Sequence, residues 1–270
     1  MSQRHIAWWR VAWRVRGGRD LSIGGECGTM VRFMSGRDFN LAIETSSRCG
    51  SVALGRGDEL LACEELGRGR HAVELMPAID AMCREHDIGP REIGEVYLSI
   101  GPGSFTGLRI AVTTGKMLAR SVGAKLVAVP TLDVVVENAP ADATEHVAVM
   151  LNAKRGQCFT GLYERRDDRW AALGEAALMT PPEVCERIAR PAAIVGDHLP
   201  EHDWPADVTV FDEALATPRA EVVWRIGRAM AKGGRFVDPL ALAPLYVRLP
   251  EAEEVWRQAE GKRQKAKGRS

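Results

Sequence analysis

The chain has 270 residues, of which 46% are hydrophobic and 27% are charged, as in a folded protein with a hydrophobic core. The 36 Lys and Arg residues balance 36 Asp and Glu residues, so bulk charge gives no argument for binding nucleic acid or a membrane. No apolar run approaches the roughly 20 residues that cross a bilayer. Six cysteines at irregular spacings, without a C-x-x-C pair, predict free thiols in a reducing compartment and hence a cytoplasmic protein.

The two ends of the chain are set apart by composition. Residues 1–38 combine three tryptophans with several arginines and a glycine-rich stretch, without the apolar core and cleavage site of a signal peptide. They are predicted to be a disordered extension, with Met34 as an alternative start, while a basic aromatic surface-binding arm is the competing interpretation. Residues 251–270 are highly charged and are predicted to form a solvated tail.

Hydrophobic periodicity and turn residues predict the elements in chain order. The first set is strands at 39–43, 51–54 and 59–66 as an antiparallel meander, a helix at 71–86 that Pro77 bends or delays, a strand at 96–100, a helix at 106–122, a strand at 125–129 and a helix from 130. The second set is strands at 146–151, 157–163 and around 170, a helix from 181, strands at 192–195 and 208–210, and a helix at 219–232.

The two sets have a similar order, which indicates an ancient duplication. We predict an α/β protein of the actin-like (ASKHA) architecture, built from duplicated β-β-β-α-β-α domains whose mixed sheets are flanked by helices. The first domain is assigned to residues 39–140 and the second to residues 141–250.

A glycine-rich turn follows the strand at 96–100. It reads Gly101-Pro102-Gly103-Ser104-Phe105-Thr106-Gly107-Leu108-Arg109. Its G-x-G-x-x-x-G spacing fits neither the dinucleotide nor the P-loop pattern, and G-S-F-T-G is not the G-x-S-x-G of a hydrolase nucleophile. Ser104 or Thr106 is expected to cap the next helix. A structural turn that packs this helix closely, an anion site at the helix start, and a partner-binding role remain open.

Two further motifs have competing interpretations. Glu44 ends the first strand, where an acid of an actin-like fold often helps to hold a hydrated metal, but it is also consistent with a solvated loop carboxylate or a cap. The equivalent second turn carries Lys154 and Arg155 and no carboxylate, so a two-acid metal–nucleotide site looks incomplete. His198-Leu-Pro-Glu-His202 has zinc-ligand spacing only on a helix, and Pro200 predicts an exposed loop instead.

Several segments in order resemble one family of proteins. They are Leu41–Ser46, Gly50–Leu54, Arg70–Pro77, Gly101–Arg109, Val129–Leu132 and Pro244–Arg248. Together they resemble the TsaB family, bacterial tRNA threonylcarbamoyladenosine biosynthesis proteins, over roughly residues 39–250, and the G-P-G-S-F-T-G-[LV]-R segment is the most specific.

The resemblance implies a non-catalytic subunit that pairs with a catalytic paralogue, TsaD, which transfers threonylcarbamoyl to the adenosine beside the anticodon. TsaD carries a metal-binding H-x-x-x-H after the strand that here ends at Val129, whereas this chain has Thr131-Leu-Asp-Val-Val135. The implied partners are a TsaD-like subunit, a TsaE-like ATPase and, through the complex, tRNA. No cofactor or metal is assigned to this chain, although the complex is implied to use ATP. Older descriptions call such proteins glycoprotease-like, but this sequence has no constellation of protease residues.

The resemblance places the partner contact on the helices of the first domain. Methionine adapts to irregular surfaces and small residues allow close helix approach. The predicted contact residues are His71, Leu75, Met76, Ile79, Met82, Ala111, Gly115 and Met117. Packing of these side chains on the sheet, an ATP-dependent kinase or hydrolase of the same fold, and a homodimer through the same face are the alternatives.

Overall fold

The computed structural model describes residues 36–140, 144–167 and 169–246. Nearly all of the predicted N-terminal extension and the whole charged tail therefore lie outside the described residues. Within these ranges, no helix is long and apolar enough to cross a membrane. The described cysteines are free thiols: Cys49, Cys63, Cys83, Cys158 and Cys185.

The first sheet is a mixed sheet in the order β3-β2-β1-β4-β5. Its strands are β1 (Phe39–Glu44), β2 (Gly50–Arg56), β3 (Glu59–Leu66), β4 (Ile93–Ser99) and β5 (Lys125–Val129). The first three form the predicted antiparallel meander, and β4 and β5 add in parallel on the other side of β1. The central strand β1 is almost fully buried, as its apolar run predicts.

The second sheet repeats this arrangement. Its strands are β6 (His146–Asn152), β7 (Cys158–Arg166), β8 (Arg169–Ala172), β9 (Ala177–Met179), β10 (Ala192–Asp197) and β11 (Val208–Val210). The order β8-β7-β6-β10-β11 matches β3-β2-β1-β4-β5 strand for strand, with β9 as an addition beside β7. The predicted α/β, actin-like duplication is confirmed.

The helices cover both sheets. They are α1 (His71–Glu85), α2 (Phe105–Val122), α3 (Thr131–Val136), α4 (Pro181–Arg187) and α5 (Ala220–Lys232), with short 3₁₀ turns at Pro90–Glu92 and Glu213–Ala216. Helices α1 and α2 pack on one face of the first sheet, against side chains such as Ile43 and Leu98. Helix α5 packs on the opposite face, against Ala42 and Tyr97, because neighbouring residues of a strand point to opposite faces.

Two helices cross between the halves of the fold. Helix α3 packs on the second sheet through Leu132 and Val135, although it follows the first sheet in the chain. Helix α5 follows the second sheet but packs on the first, where Gly227 lies against the Tyr97 ring and the Trp224 indole donates a hydrogen bond to Asn40. The division into 39–140 and 141–250 stays a prediction, and each of these helices packs on the sheet of the other segment.

Candidate functional site

The glycine-rich turn joins β4 to α2 and is held against the turn after β1. Ser104 is the N-cap of α2, as predicted, and its hydroxyl accepts a hydrogen bond from the Gly107 amide at 3.3 Å. The Ser104 amide donates to the Ser46 carbonyl at 2.6 Å, and the Thr45 hydroxyl donates to the Gly107 carbonyl at 2.8 Å. The glycine turn is therefore tied to the turn after β1 through the Ser104 amide and the Gly107 carbonyl.

The glycines allow this contact because their backbones approach the neighbouring chain closely. A Cβ atom at Gly107 would lie 1.7 Å from the Thr45 carbonyl oxygen, and one at Gly103 would lie 2.5 Å from the Ser46 carbonyl oxygen. Gly101 has a φ of 113°, a conformation that side-chain-bearing residues rarely adopt. These contacts support the structural-turn interpretation of the motif over a phosphate cradle.

Thr131 ties the other end of the turn to helix α3. Its hydroxyl lies 2.7 Å from the Ser99 hydroxyl and accepts a hydrogen bond from the Gly101 amide at 3.0 Å. Thr131 and Val135 are both fully buried. The positions that the resemblance places opposite the TsaD metal motif thus hold packing and hydrogen-bonding side chains that fix the helix to the turn.

Glu44 is fully buried at the end of β1. One carboxylate oxygen accepts hydrogen bonds from the Ser46 amide and hydroxyl, both at 2.5 Å, while the other has no hydrogen-bond partner among the described residues. Burial raises the pKa of this carboxyl, and the hydrogen bonds from Ser46 oppose the shift without cancelling it. The interpretation as a solvated loop carboxylate is wrong, and a carboxyl so enclosed does not face solvent where a hydrated metal would sit.

A cleft of about 900 Å³ opens between the turn after β1 and the equivalent turn after β6. One wall comprises Ser46 to Cys49, Arg68 and the glycine turn, and the other comprises Leu151 to Arg155 with Asp197 and His198. Because both turns follow the central strand of a duplicated sheet, the two halves present equivalent backbone positions to the cleft. This volume is typical of a small-molecule site.

The turn after β6 is held by amide and carboxylate groups. Asp197 accepts a hydrogen bond from the Asn152 amide at 2.7 Å, and the Asn152 side chain accepts one from the Lys154 amide at 2.7 Å. Lys154 and Arg155 adopt positive φ values of 64° and 56°. Both side chains are exposed and line the cleft, and the residue that ends β6, as Glu44 ends β1, is Asn152 rather than a carboxylate.

An aromatic cluster lies at the mouth of the cleft. The Phe105 and Tyr246 rings stack with centroids 5.0 Å apart, and the Arg109 guanidinium lies 3.8 Å from the Phe105 centroid. Arg109 also donates to the Tyr246 hydroxyl at 3.3 Å, and the Leu245 amide donates to the Ile100 carbonyl at 2.7 Å. Two segments of the sequence resemblance, Gly101–Arg109 and the start of Pro244–Arg248, thus meet in space.

Most of the predicted partner-contact residues are in the core. Six of them are buried against the first sheet: His71, Leu75, Ile79, Met82, Ala111 and Gly115. The His71 ring donates a hydrogen bond to the Ser47 carbonyl oxygen at 3.0 Å, and a Cβ atom added at Gly115 would lie 2.4 Å from the Leu98 side chain. Of the eight, only Met76 and Met117 reach the surface, so a partner on these helices must also contact side chains outside the predicted set.

Those side chains lie on the outward face of α1 and α2. Val73, Pro77 and Ala81 are exposed at four-residue spacing on α1, and Val73 is 66% exposed. Met76 beside them is half-buried, and Met117 on the adjoining helix α2 is 41% exposed. We call Val73, Met76, Pro77, Ala81 and Met117 the apolar helix face. Its four-residue repeat is visible in the sequence beside the core repeat of Leu75, Ile79 and Met82.

The H-x-x-x-H segment forms a loop, as predicted. His198 pairs with Glu213 at 2.9 Å, and the His202 ring lies 3.8 Å from the Cys185 sulfur and edge-on to Trp204. The two histidines therefore have different neighbours. Over the part of the chain that the structure describes, no group of three or more His, Cys, Asp or Glu side chains is arranged to hold a metal ion.

Comparisons with family models and with curated proteins agree on one group of proteins. The family model described as tRNA N6-adenosine threonylcarbamoyltransferase TsaD matches residues 65–200, half of the chain. The chain is 29% identical over 236 residues to the tRNA threonylcarbamoyladenosine biosynthesis protein TsaB of Bacillus subtilis, covering 80% of this chain and 96% of the relative. It is 25% identical to the TsaB protein of Escherichia coli, covering 82% and 98% of the two chains.

Two solved structures share the fold. A Pseudomonas aeruginosa protein with similarity to peptidase YeaZ superimposes with a TM-score of 0.66 at 24% identity, over 78% of this chain and all of that chain. YeaZ from Pseudomonas aeruginosa gives a TM-score of 0.63 at 25% identity, over 77% of this chain and all of that chain. The chain therefore belongs to the TsaB family, within the group of proteins that the TsaD family model describes.

Proposed function

We propose that this protein is a non-catalytic subunit of the system that adds threonylcarbamoyl to the adenosine beside the anticodon of tRNA. The names of the Bacillus subtilis and Escherichia coli relatives place those proteins in threonylcarbamoyladenosine biosynthesis, and this chain spans nearly their whole length. The protein binds and supports a TsaD-like catalytic subunit. A TsaE-like ATPase joins the assembly, and tRNA is bound through the complex.

The non-catalytic assignment is supported by what occupies the positions where an actin-like enzyme handles phosphate and metal. Glu44 is enclosed by protein, and the equivalent second turn presents Lys154 and Arg155. Thr131 and Val135 fill the core where TsaD has histidines. This arrangement also disfavours the alternative of an ATP-dependent kinase or hydrolase, which needs acids that reach the metal-bound nucleotide.

The apolar helix face is the observation that carries the partner assignment. An exposed apolar surface that spans two adjacent helices costs free energy in water, and this free energy is recovered when another apolar surface covers it. Helix pairs dock in this way by fitting the side-chain ridges of one pair into the grooves of the other. A paralogous subunit with the same fold would offer an equivalent helix pair, and so would a second copy of this chain.

Ala81→Glu is expected to weaken binding to a TsaD-like subunit by about tenfold or more, because a carboxylate would be buried without a partner at the docked face. Ala81 is exposed, so the substitution should leave the free energy of unfolding nearly unchanged. Binding is measured by gel filtration and calorimetry with the purified partner. Met82, Ala111 and Gly115 are unsuitable for such a test, because they are core positions where a charge would unfold the protein.

Ala229→Glu is the matched control, because Ala229 is exposed on α5, which covers the opposite face of the first sheet. It adds the same charge to a helix and should leave partner binding unchanged. Equal binding by Ala81→Glu and the native chain would exclude the apolar helix face as the docking surface. If Ala81→Glu disrupts only self-association and the partner still binds, the face belongs to a homodimer instead.

A further inference from the structure

Helix α2 carries a row of three cations on its outward side. Arg109, Lys116 and Arg120 recur at spacings of seven and four residues, which places them along one side of the helix. Arg109 and Arg120 are exposed, and Lys116 is half-buried. The chain has no Asp or Glu between Glu95 and Asp133, so α2 contains no acid of its own. We call Arg109, Lys116 and Arg120 the cationic row.

The cationic row forms no ion pair with any carboxylate of the residues that the structure describes. The Arg109 guanidinium stacks on the Phe105 ring and donates to the Tyr246 hydroxyl. The Lys116 ammonium donates to the Leu240 carbonyl oxygen at 3.4 Å. These acceptors are uncharged and leave the charge of the row unbalanced. Like charges at such helix spacings repel, and an acidic group bound along the row removes this repulsion.

After helix α5 the chain returns along the cationic row. The Leu240 carbonyl lies at Lys116, and the Tyr246 hydroxyl lies at Arg109. Leu242 between them is buried in the core of the first sheet and anchors this part of the chain. The residues that follow Tyr246 therefore start beside the Arg109 end of the row.

The next part of the sequence is acidic and then apolar. Residues 251–256 read Glu-Ala-Glu-Glu-Val-Trp, with three carboxylates in the first four positions, and we call them the acidic segment. Pro250 before them is typical of a change in chain direction. An extended chain from Tyr246 reaches about 17 Å at Glu251 and about 27 Å at Glu254, while the row spans about 16 Å of helix. The chain is therefore long enough for these carboxylates to lie along the whole row.

We propose that the acidic segment docks on the outward side of helix α2, with its carboxylates on the cationic row. Carboxylates form charge-assisted hydrogen bonds with guanidinium and ammonium groups, and the chain connection makes this contact intramolecular. Val255 and Trp256 then cover Met117, which follows Lys116 in the sequence and is 41% exposed. Met117 belongs to the apolar helix face, so a partner has to displace the segment from that side. Only this competition rests on the proposed function.

Chymotrypsin digestion of the full-length chain without a partner tests the docking, because the protease cleaves after tryptophan and a docked Trp256 is protected. Mass spectrometry follows the fragment that ends at Trp256, and each rate is divided by that of a free peptide of the same sequence. The α2 variant, Lys116→Glu/Arg120→Glu, replaces attraction by repulsion and should raise this rate by about fivefold or more, since cleavage follows the undocked population. High salt should raise the native rate towards that of the α2 variant.

Restoring the charge pairing separates docking from an unrelated effect of the substitutions. Glu253→Lys/Glu254→Lys alone should raise the cleavage rate as the α2 variant does. A chain with all four substitutions should return to within about twofold of the native rate. The control is Arg91→Glu/Arg169→Glu, at exposed arginines on the 3₁₀ turn and on β8. It changes the net charge as much as the α2 variant and should leave the rate unchanged.

Three digestion results would overturn the proposal: equal rates for the native chain and the α2 variant, an equal increase in the control, or no recovery in the chain with all four substitutions. Protection that rises with protein concentration would overturn it by assigning the segment to a second copy. Unchanged cleavage with weakened partner binding by the α2 variant would overturn it by assigning the row to the partner. The proposed function is tested separately, because Ala81 lies outside both the row and the segment.

Discussion

Gly107→Ala is expected to lower the free energy of unfolding by about 3 kcal/mol or more, because a buried backbone contact has to open to admit one methyl group. The new Cβ would lie 1.7 Å from the Thr45 carbonyl oxygen, and that atom belongs to backbone that cannot rotate away as a side chain can. Helix α2 and the turn after β1 would have to separate. The loss would be measured as the shift of the urea unfolding midpoint at neutral pH.

Gly174→Ala is the control for this prediction. Gly174 is exposed, a Cβ there would have no atom within 4 Å, and its φ is not positive, so alanine should be neutral or stabilise by up to about 1 kcal/mol. A Gly107→Ala protein as stable as the native chain would mean that the close contact between the turn and β1 is not needed for folding. Loss of stability in both variants would point to a general effect of glycine replacement instead.

The element order of this protein follows from local signals in the sequence. The buried strands, the helices that begin near His71 and Phe105, and the Ser104 cap each depend on residues within a few positions of one another. The packing of α3 and α5 on the sheet of the other half does not follow from local signals, because packing on a distant sheet leaves no local pattern. Helix α5 shows this: its apolar face predicts that it is covered, but the covering residues Ala42 and Tyr97 lie more than a hundred positions earlier.

The same distinction between local and long-range signals applies to the candidate functional surfaces. The core repeat of Leu75, Ile79 and Met82 predicts helix α1 and also fixes which side faces the sheet, so the exposure of Val73 and Ala81 was available from the sequence. Methionine and small residues suggested an interface by composition, but Met82 fills the core. The cleft could not be predicted as a site, because it forms only when the turns at Arg48 and Lys154 meet.

The environment of Glu44 was the hardest feature to predict. An acid followed by Thr45 and Ser46 at a strand end is typical of an exposed polar turn, whereas here the glycine turn, more than fifty positions later, packs on Thr45 and Ser46 beside the buried carboxyl. This burial raises the pKa of the carboxyl in the folded protein above its value in the unfolded chain. The folded state therefore holds the Glu44 proton more tightly than the unfolded state does.

The sign of the resulting pH dependence is fixed by this linkage. The contribution of Glu44 to stability is fully present below the pKa of the unfolded chain, and it is lost as the pH rises through the raised pKa of the folded chain. Between these two pKa values, the free energy of unfolding should fall by up to about 1.4 kcal/mol per pH unit because of this one group. Burial raises the pKa of Asp133 as well, so Asp133 contributes with the same sign.

Glu44→Gln isolates the contribution of Glu44, because glutamine keeps the shape and the acceptor oxygen for Ser46 but does not titrate. We expect the stability of the variant relative to the native chain to increase as the pH is raised from about 4 to 9, since only the native carboxyl must ionise in the core. Urea unfolding at intervals of one pH unit gives the two curves. Glu64→Gln neutralises an exposed carboxylate of the same sheet and should run parallel to the native chain. A Glu44→Gln curve that also runs parallel would mean that water reaches this carboxyl in solution and that the turn over it opens.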